Sequence, residues 1–369
     1  MKIFTTVISS SLIVGLATTA HAADYKVGLT ATYSGDFAAF GQSLRNGAEL
    51  AIRKTAPADV TITFDVIDDK GSPQEGVLAA QRLCSDKDVV AVLGYTFSSV
   101  ALAAVPILDE CKLPVVASAV TSPDLSNSSP YFRRNVMTDA EQGRRMGEFA
   151  VGKLQAKNIY ILNQQDDYGI GVANAFAAAV TEGGATVAGT EAYHLGDNNF
   201  RTVLTKVKAE SPDAIFIGGF YSEAAKILEQ ARQIGVTAQF LGTDGSLNSQ
   251  LLALSKGAAE GLVVYGMFDP STGGEQSRDF VTAYRDAYKT DPDVWSALGY
   301  DAAGLLASTI GEQQKAGTVT REGLNAALSA IDGYAGVTGA VSFSASGDRQ
   351  GDLFFFQVKD NKFVPVEAH

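Results

Sequence analysis

Residues able to do covalent chemistry are scarce in this chain. It has three histidines: His21 in an apolar N-terminal stretch, His369 at the very end, and His194 in Tyr193-His194-Leu195. A Ser-His-Asp triad or a histidine-based metal site would rest on His194 alone. No metal site is expected. The carboxylate pairs Asp68-Asp69 and Asp166-Asp167 could serve acid–base work. Each sits where a strand runs out into a loop, however, which reads as a solvated turn residue. Gly169-Ile170-Gly171 opens like a dinucleotide loop, but Asn174 stands where the third glycine belongs. No cofactor is implied, and the inventory points to binding rather than turnover.

One chemistry is well supplied: holding an anion without transforming it. Ser98-Ser99 opens an expected helix, so hydroxyls and free backbone N–H groups converge there. The nearby turn Ala119-Val120-Thr121 adds further N–H groups and a hydroxyl. Together they make a carboxylate seat that needs no arginine. Helix capping alone would also explain Ser98-Ser99, but not the Thr121 loop or the aromatic residues around both.

The elements that position these loops alternate with little interruption. Strands are expected at 26–31, 60–67, 89–93 and 114–117, with helices at 42–54, 74–85 and 99–110 between them. A second series runs from helix 140–154 through strands 158–162, 186–191, 214–217, 239–241 and 263–265. Its intervening helices are 169–181, 200–209 and 222–234. Three helical stretches follow (276–289, 294–313, 321–330), then glycine-rich strands at 339–343 and 353–358. Continuous apolar strand runs bounded by turn residues are the mark of parallel sheets covered on both faces. The expected fold is α/β, with two doubly wound Rossmann-like lobes. In such sheets ligands bind beyond the carboxyl ends of the strands, where Ser98, Ala119 and Thr121 fall.

The compartment follows from the first residues. Met1-Lys2, an apolar run over residues 8–16 and Ala20-His21-Ala22 before Ala23 form a signal-peptide pattern, with cleavage expected near Ala22. An exported protein is expected. The formal charge of −12 and the lack of a Lys/Arg block make nucleic acid and anionic membrane surfaces poor partners. Cys84 and Cys111 stand near the ends of successive helices, which a right-handed β-α-β-α-β layout can set on one face. A disulfide is expected in an oxidising compartment, with two free thiols as the alternative.

At this point a resemblance becomes specific. Tyr33-Ser34-Gly35, Phe40-Gly41 and Arg45-Asn46-Gly47-Ala48-Glu49-Leu50-Ala51 resemble the opening of the periplasmic leucine/isoleucine/valine-binding proteins of ABC importers. The similarity continues in Gly94-Tyr95-Thr96-Phe97-Ser98-Ser99, in Ala119-Val120-Thr121-Ser122-Pro123-Asp124-Leu125 and in Asp167-Tyr168-Gly169. It returns in Ile217-Gly218-Gly219-Phe220-Tyr221 and Leu241-Gly242-Thr243-Asp244-Gly245. Each match is weak alone, but their common order over the whole chain is strong.

The resemblance implies a type I periplasmic binding protein fold: two lobes, three hinge crossovers, and a cleft that closes on an amino acid. It places crossovers near Thr138, Phe268 and Phe343, giving lobes 23–138 plus 269–342 and 139–268 plus 343–369. Ser98, Ala119 and Thr121 would hold the α-carboxylate and Asp244 the α-ammonium. Tyr168 would cover the ligand, Phe40 and Phe220 would wall its side chain, and Tyr95, Phe97 and Tyr221 would lie adjacent. Members of that family commonly carry Glu at the Asp244 position, Tyr or Trp at Phe40 and Tyr at Phe220. The phenyl walls here favour apolar or aromatic side chains, or aromatic carboxylates lacking an amine. Expected partners are the small ligand and an ABC permease, with the protein a monomer. A periplasmic ligand sensor of the same fold is the alternative.

Overall fold

A computed structural model describes residues 23–272, 274–317 and 319–366. The expected signal peptide, His21 and His369 lie outside the described residues. The chain begins β1 (Ala23–Ala31), α1 (Ala38–Thr55), β2 (Val60–Asp68), α2 (Pro73–Ser85), β3 (Val89–Gly94), α3 (Ser98–Glu110), β4 (Val115–Ala117) and β5 (Phe132–Arg134). It continues α4 (Asp139–Glu148), β6 (Asn158–Gln164), α5 (Asp167–Glu182), β7 (Thr186–Tyr193), α6 (Arg201–Glu210), β8 (Ala214–Gly218), α7 (Tyr221–Gln233), β9 (Gln239–Leu241), α8 (Ser249–Leu254) and β10 (Val263–Gly266). It ends α9 (Glu275–Tyr288), α10 (Val294–Lys315), α11 (Arg321–Ser329), β11 (Tyr334–Gly336), β12 (Gly339–Val341), β13 (Phe354–Lys359) and β14 (Lys362–Pro365).

The strands form two main sheets, and the fold is α/β with two lobes. The first sheet runs β2-β1-β3-β4-β5, all parallel. The second runs β7-β6-β8-β9-β10 in parallel and then adds β13 and β14 antiparallel at one edge. Both repeat one order, in which the first strand of the series lies inside the second. That reversal opens a crevice at the strand ends, where loops diverge to opposite faces. Strand β8 is buried at all five residues, which is why its sequence is an unbroken apolar run.

Helix α1 buries Phe40, Leu44, Gly47, Ala48 and Ala51, a helical stripe. Its partner is α10, which approaches so closely that a Cβ on Gly47 would lie 1.9 Å from the Ser296 carbonyl oxygen. The capping box of Asp293 and Ser296 starts α10 at that contact. Helix α10, far along the chain, therefore packs on the first helix.

Strand β5 has no counterpart in the sequence expectations, because Phe132-Arg133-Arg134 carries two charges. Arg134 is fully buried nonetheless. Its guanidinium donates to Asp348 and to the Val120 and Ser122 carbonyls. Residues 344–349 lie against the same strand, with the Arg134 N–H donating to the Gly347 carbonyl. The expectation of solvated carboxylates also needs correcting. Asp69 is buried and accepts from the Thr32 hydroxyl and the Gly71 N–H, holding the β2–α2 turn. His194 is exposed between β7 and α6. Cys84 and Cys111 are joined in a disulfide with Cα atoms 5.7 Å apart.

Candidate ligand-binding site

Loops from the carboxyl ends of both sheets meet around a nearly filled cavity of about 10 Å³. Phe40, Thr96, Ala119 and Trp295 line it from the first lobe, and Tyr168, Phe220, Asp244 and Gly245 from the second. That is about the room a single water needs, so the walls close on one another here.

Behind Ala119 lies the expected anion seat. Ser98 is the first residue of α3, where backbone N–H groups lack helical partners. Its hydroxyl oxygen accepts from the N–H groups of Thr121 and Ser122 at 3.3 and 3.2 Å, so one residue ties the two loops together. The Thr121 hydroxyl is buried without a hydrogen-bond partner. Ser98 and Thr121 thus come together as expected, one step behind the cavity wall rather than on it.

Across the cavity, Asp244 follows β9 and opens a short 3-10 turn. Its Oδ1 accepts from the Tyr168 hydroxyl at 2.6 Å and from the Gly245 N–H at 2.8 Å. Tyr168 is positioned by the first turn of α5, which the Asp166 side chain caps through the Gly169 N–H at 2.8 Å. Burial raises the Asp244 carboxyl above its usual range, and the two donors only partly offset this. No lysine or arginine lines the cavity. A buried carboxylate with no cation beside it favours a ligand that brings its own positive charge.

The walls are aromatic. Phe220 stacks on Tyr168 at 4.7 Å and meets the edges of Phe97 and Phe40 at 4.8 and 5.9 Å. Phe40 in turn meets Trp295 edge-on at 5.2 Å. Phe97 and Tyr221 stand behind this wall, and the Tyr221 hydroxyl donates to the Asp36 carbonyl across the lobes at 2.5 Å. Tyr95 is fully buried and lies away from the cavity, where burial and nearby Asp69 push its hydroxyl above the usual range.

With that geometry, comparison with known proteins becomes informative. The sequence profile of the family described as periplasmic binding protein matches residues 24–362. The chain belongs to this family. A Leu/Ile/Val-binding protein homologue from Brucella melitensis is 27% identical over 362 residues, covering 96% of each chain. The crystal structure of a leucine-binding protein from Thermotoga maritima superposes with a TM-score of 0.87 at 28% identity, covering 93% of this chain and 98% of that one. A branched-chain amino acid transporter substrate-binding protein from Streptococcus pneumoniae, solved with isoleucine, gives 0.86 at 25% identity over 93% and 100%. These relatives are binding proteins, and this periplasmic binding protein is not an enzyme.

Three residues of its cleft were not signalled by the sequence. Thr96 accepts from the Thr32 N–H at 3.0 Å and lines the cavity beside Ala119. Trp295 reaches it from α10, and nothing in a mid-chain helix announces that placement. Asp139, the first residue of α4, is fully buried behind the cavity and is held well above the usual carboxylate range, first by burial and then by Asp244.

Proposed function

We propose that this protein is a periplasmic solute receptor that closes its two lobes on an α-amino acid with an apolar or aromatic side chain and presents it to an ABC permease. One observation carries the reading: Asp244 is a buried carboxylate on the cavity wall with no cationic side chain beside it. A zwitterion leaving water needs both charges met, since an unpaired buried charge costs several kcal/mol. Asp244 serves the ammonium, and the Ser98 and Thr121 groups with the α3 N-terminus serve the carboxylate. Tyr168 covers the ligand, Phe40 and Phe220 flank its side chain, and Trp295 closes the far wall. Relatives named for leucine, isoleucine and valine support an amino-acid ligand.

We assign the lobes as 23–138 with 269–349 and 139–268 with the C-terminal strands. Because residues 344–349 stay with β5, the third crossover is placed at 350–353 rather than at Phe343. Charge partners on opposite lobes make closure depend on the ligand.

The test is thermal unfolding of protein stripped of carried ligand, measured against single amino acids and against the same acids without the amine. A ligand at 100 times its Kd stabilises the fold by about 2.7 kcal/mol. Shifts confined to certain α-amino acids support the reading and name the ligand. Shifts only with acids lacking the amine would keep the carboxylate seat and remove the ammonium site.

A further inference from the structure

Aromatic rings of the two lobes touch each other directly beside the cavity. Phe37 ends a single 3-10 turn, Gly35–Phe37, between β1 and α1. Gly35 starts that turn at a φ of 73°, a left-handed backbone that glycine adopts without strain. On the other lobe Phe220 caps α7, and Tyr221 is the first residue of that helix. The Tyr221 ring lies 5.4 Å from Phe37 and 5.1 Å from Phe40, and Phe220 meets Phe37 edge-on at 5.6 Å. The Tyr221 hydroxyl donates to the Asp36 carbonyl, which the same turn presents to it.

Phe40 and Phe220 line the cavity, whereas Phe37 and Tyr221 do not. Tyr221 instead lines an open groove of about 600 Å³ along the seam, opposite Gly35, Asp36, Ala38 and Ala39 of the first lobe. Both rings are buried all the same, Phe37 at 9% and Tyr221 at 1% exposure. Swinging the lobes apart parts Phe37 from Tyr221, wets both rings and exchanges the interlobe hydrogen bond for water. One aromatic pair or one hydrogen bond moves such an equilibrium roughly two- to tenfold. A ligand that binds only the closed form gains affinity in step with the closed population. Charge pairing at Asp244 selects the ligand, while these rings favour closure whatever side chain that ligand carries.

We propose that Phe37 and Tyr221 are positioning residues of the binding reaction: they fasten the lobes together beside the cavity and so raise affinity for any ligand that fits it, without touching that ligand. The proposal rests on the two-lobe receptor reading above, but on no particular ligand.

The test uses the mature chain freed of carried ligand by unfolding and refolding. Tyr221→Phe removes only the interlobe hydrogen bond, and Phe37→Leu removes the ring but keeps an apolar side chain, so two independent variants probe one seam. Titration calorimetry with L-leucine, L-valine and L-phenylalanine reads affinity, and small-angle scattering of the ligand-free proteins reads lobe separation. Where wild type without ligand is open, each variant is expected to bind every ligand about two- to tenfold more weakly, with the ranking of ligands unchanged. Where wild type without ligand is already closed, the variants are expected to scatter as a more open particle. A residue that merely supports the fold would lower the melting temperature and move neither readout. Folded variants with unchanged affinity and unchanged scattering overturn the proposal. So does a changed ranking, because the residues would then be contacting the ligand. Failure of all three amino acids to bind wild type would overturn the amino-acid reading instead, and the scattering comparison would still decide the fastening: variants more open than wild type support it, and identical curves overturn it.

Discussion

Asp244 trades stability for binding. Its folded-state carboxyl is raised by burial, so its contribution to stability is full below the ordinary carboxylate range and is lost as pH rises through the folded value. At neutral pH the residue therefore works against the unliganded fold. Asp244→Asn keeps an acceptor for Tyr168 and Gly245 while removing the charge. We expect this variant to lose at least about tenfold in amino-acid affinity, or ~1.4 kcal/mol. Without ligand, its melting temperature at neutral pH should rise. Titration calorimetry and thermal unfolding check the two halves; unchanged affinity would remove the ammonium role. Much of this candidate site was legible through the family resemblance, which is carried by short motifs following strand ends. Asp139 was not, since an acidic residue in a first helical turn normally faces water. Its burial comes from packing against α5 and the Thr121 loop, which no local pattern reports.

Helices α2 and α3 are fastened together at their C-terminal ends. The Cys84–Cys111 bridge closes a separation of 27 residues. Beside it Arg321, at the start of α11, donates to the carbonyls of Val89, Asp86 and Cys111. A cation there also meets the negative ends of both helices. In the chain-entropy description, a loop of this length contributes about 3.5 kcal/mol. Replacing both cysteines by serine should lower denaturant stability by roughly that amount while leaving ligand affinity nearly unchanged, because the bridge lies away from the cavity. Equal loss in both would tie the bridge to the site. The alternation of elements was readable because apolar runs and turn residues mark parallel strands clearly. Strand β5 was missed because its buried arginines are satisfied by partners as distant as Asp348 and Asn325. Charge that tertiary structure neutralises still reads as surface in a local window.

At the scale of the molecule, neither lobe is one continuous piece of chain. The first sheet is finished by residue 134, yet the helix that covers α1 comes only after β10. A fragment spanning residues 23–138 should therefore fail to fold, exposing the apolar stripe of α1. Circular dichroism with a hydrophobic dye would show a collapsed or disordered chain, and a cooperative melt would contradict the expectation. The α1–α10 contact sets the timing as well. The Ser43 hydroxyl donates to Asp293 across 250 residues of sequence. A ribosome adding about 5–20 residues per second leaves α1 waiting roughly 12–50 s for its partner. Folding thus lags behind synthesis, and the nascent chain stays loose enough to be threaded, handled by chaperones or cut by proteases until its final third has been made.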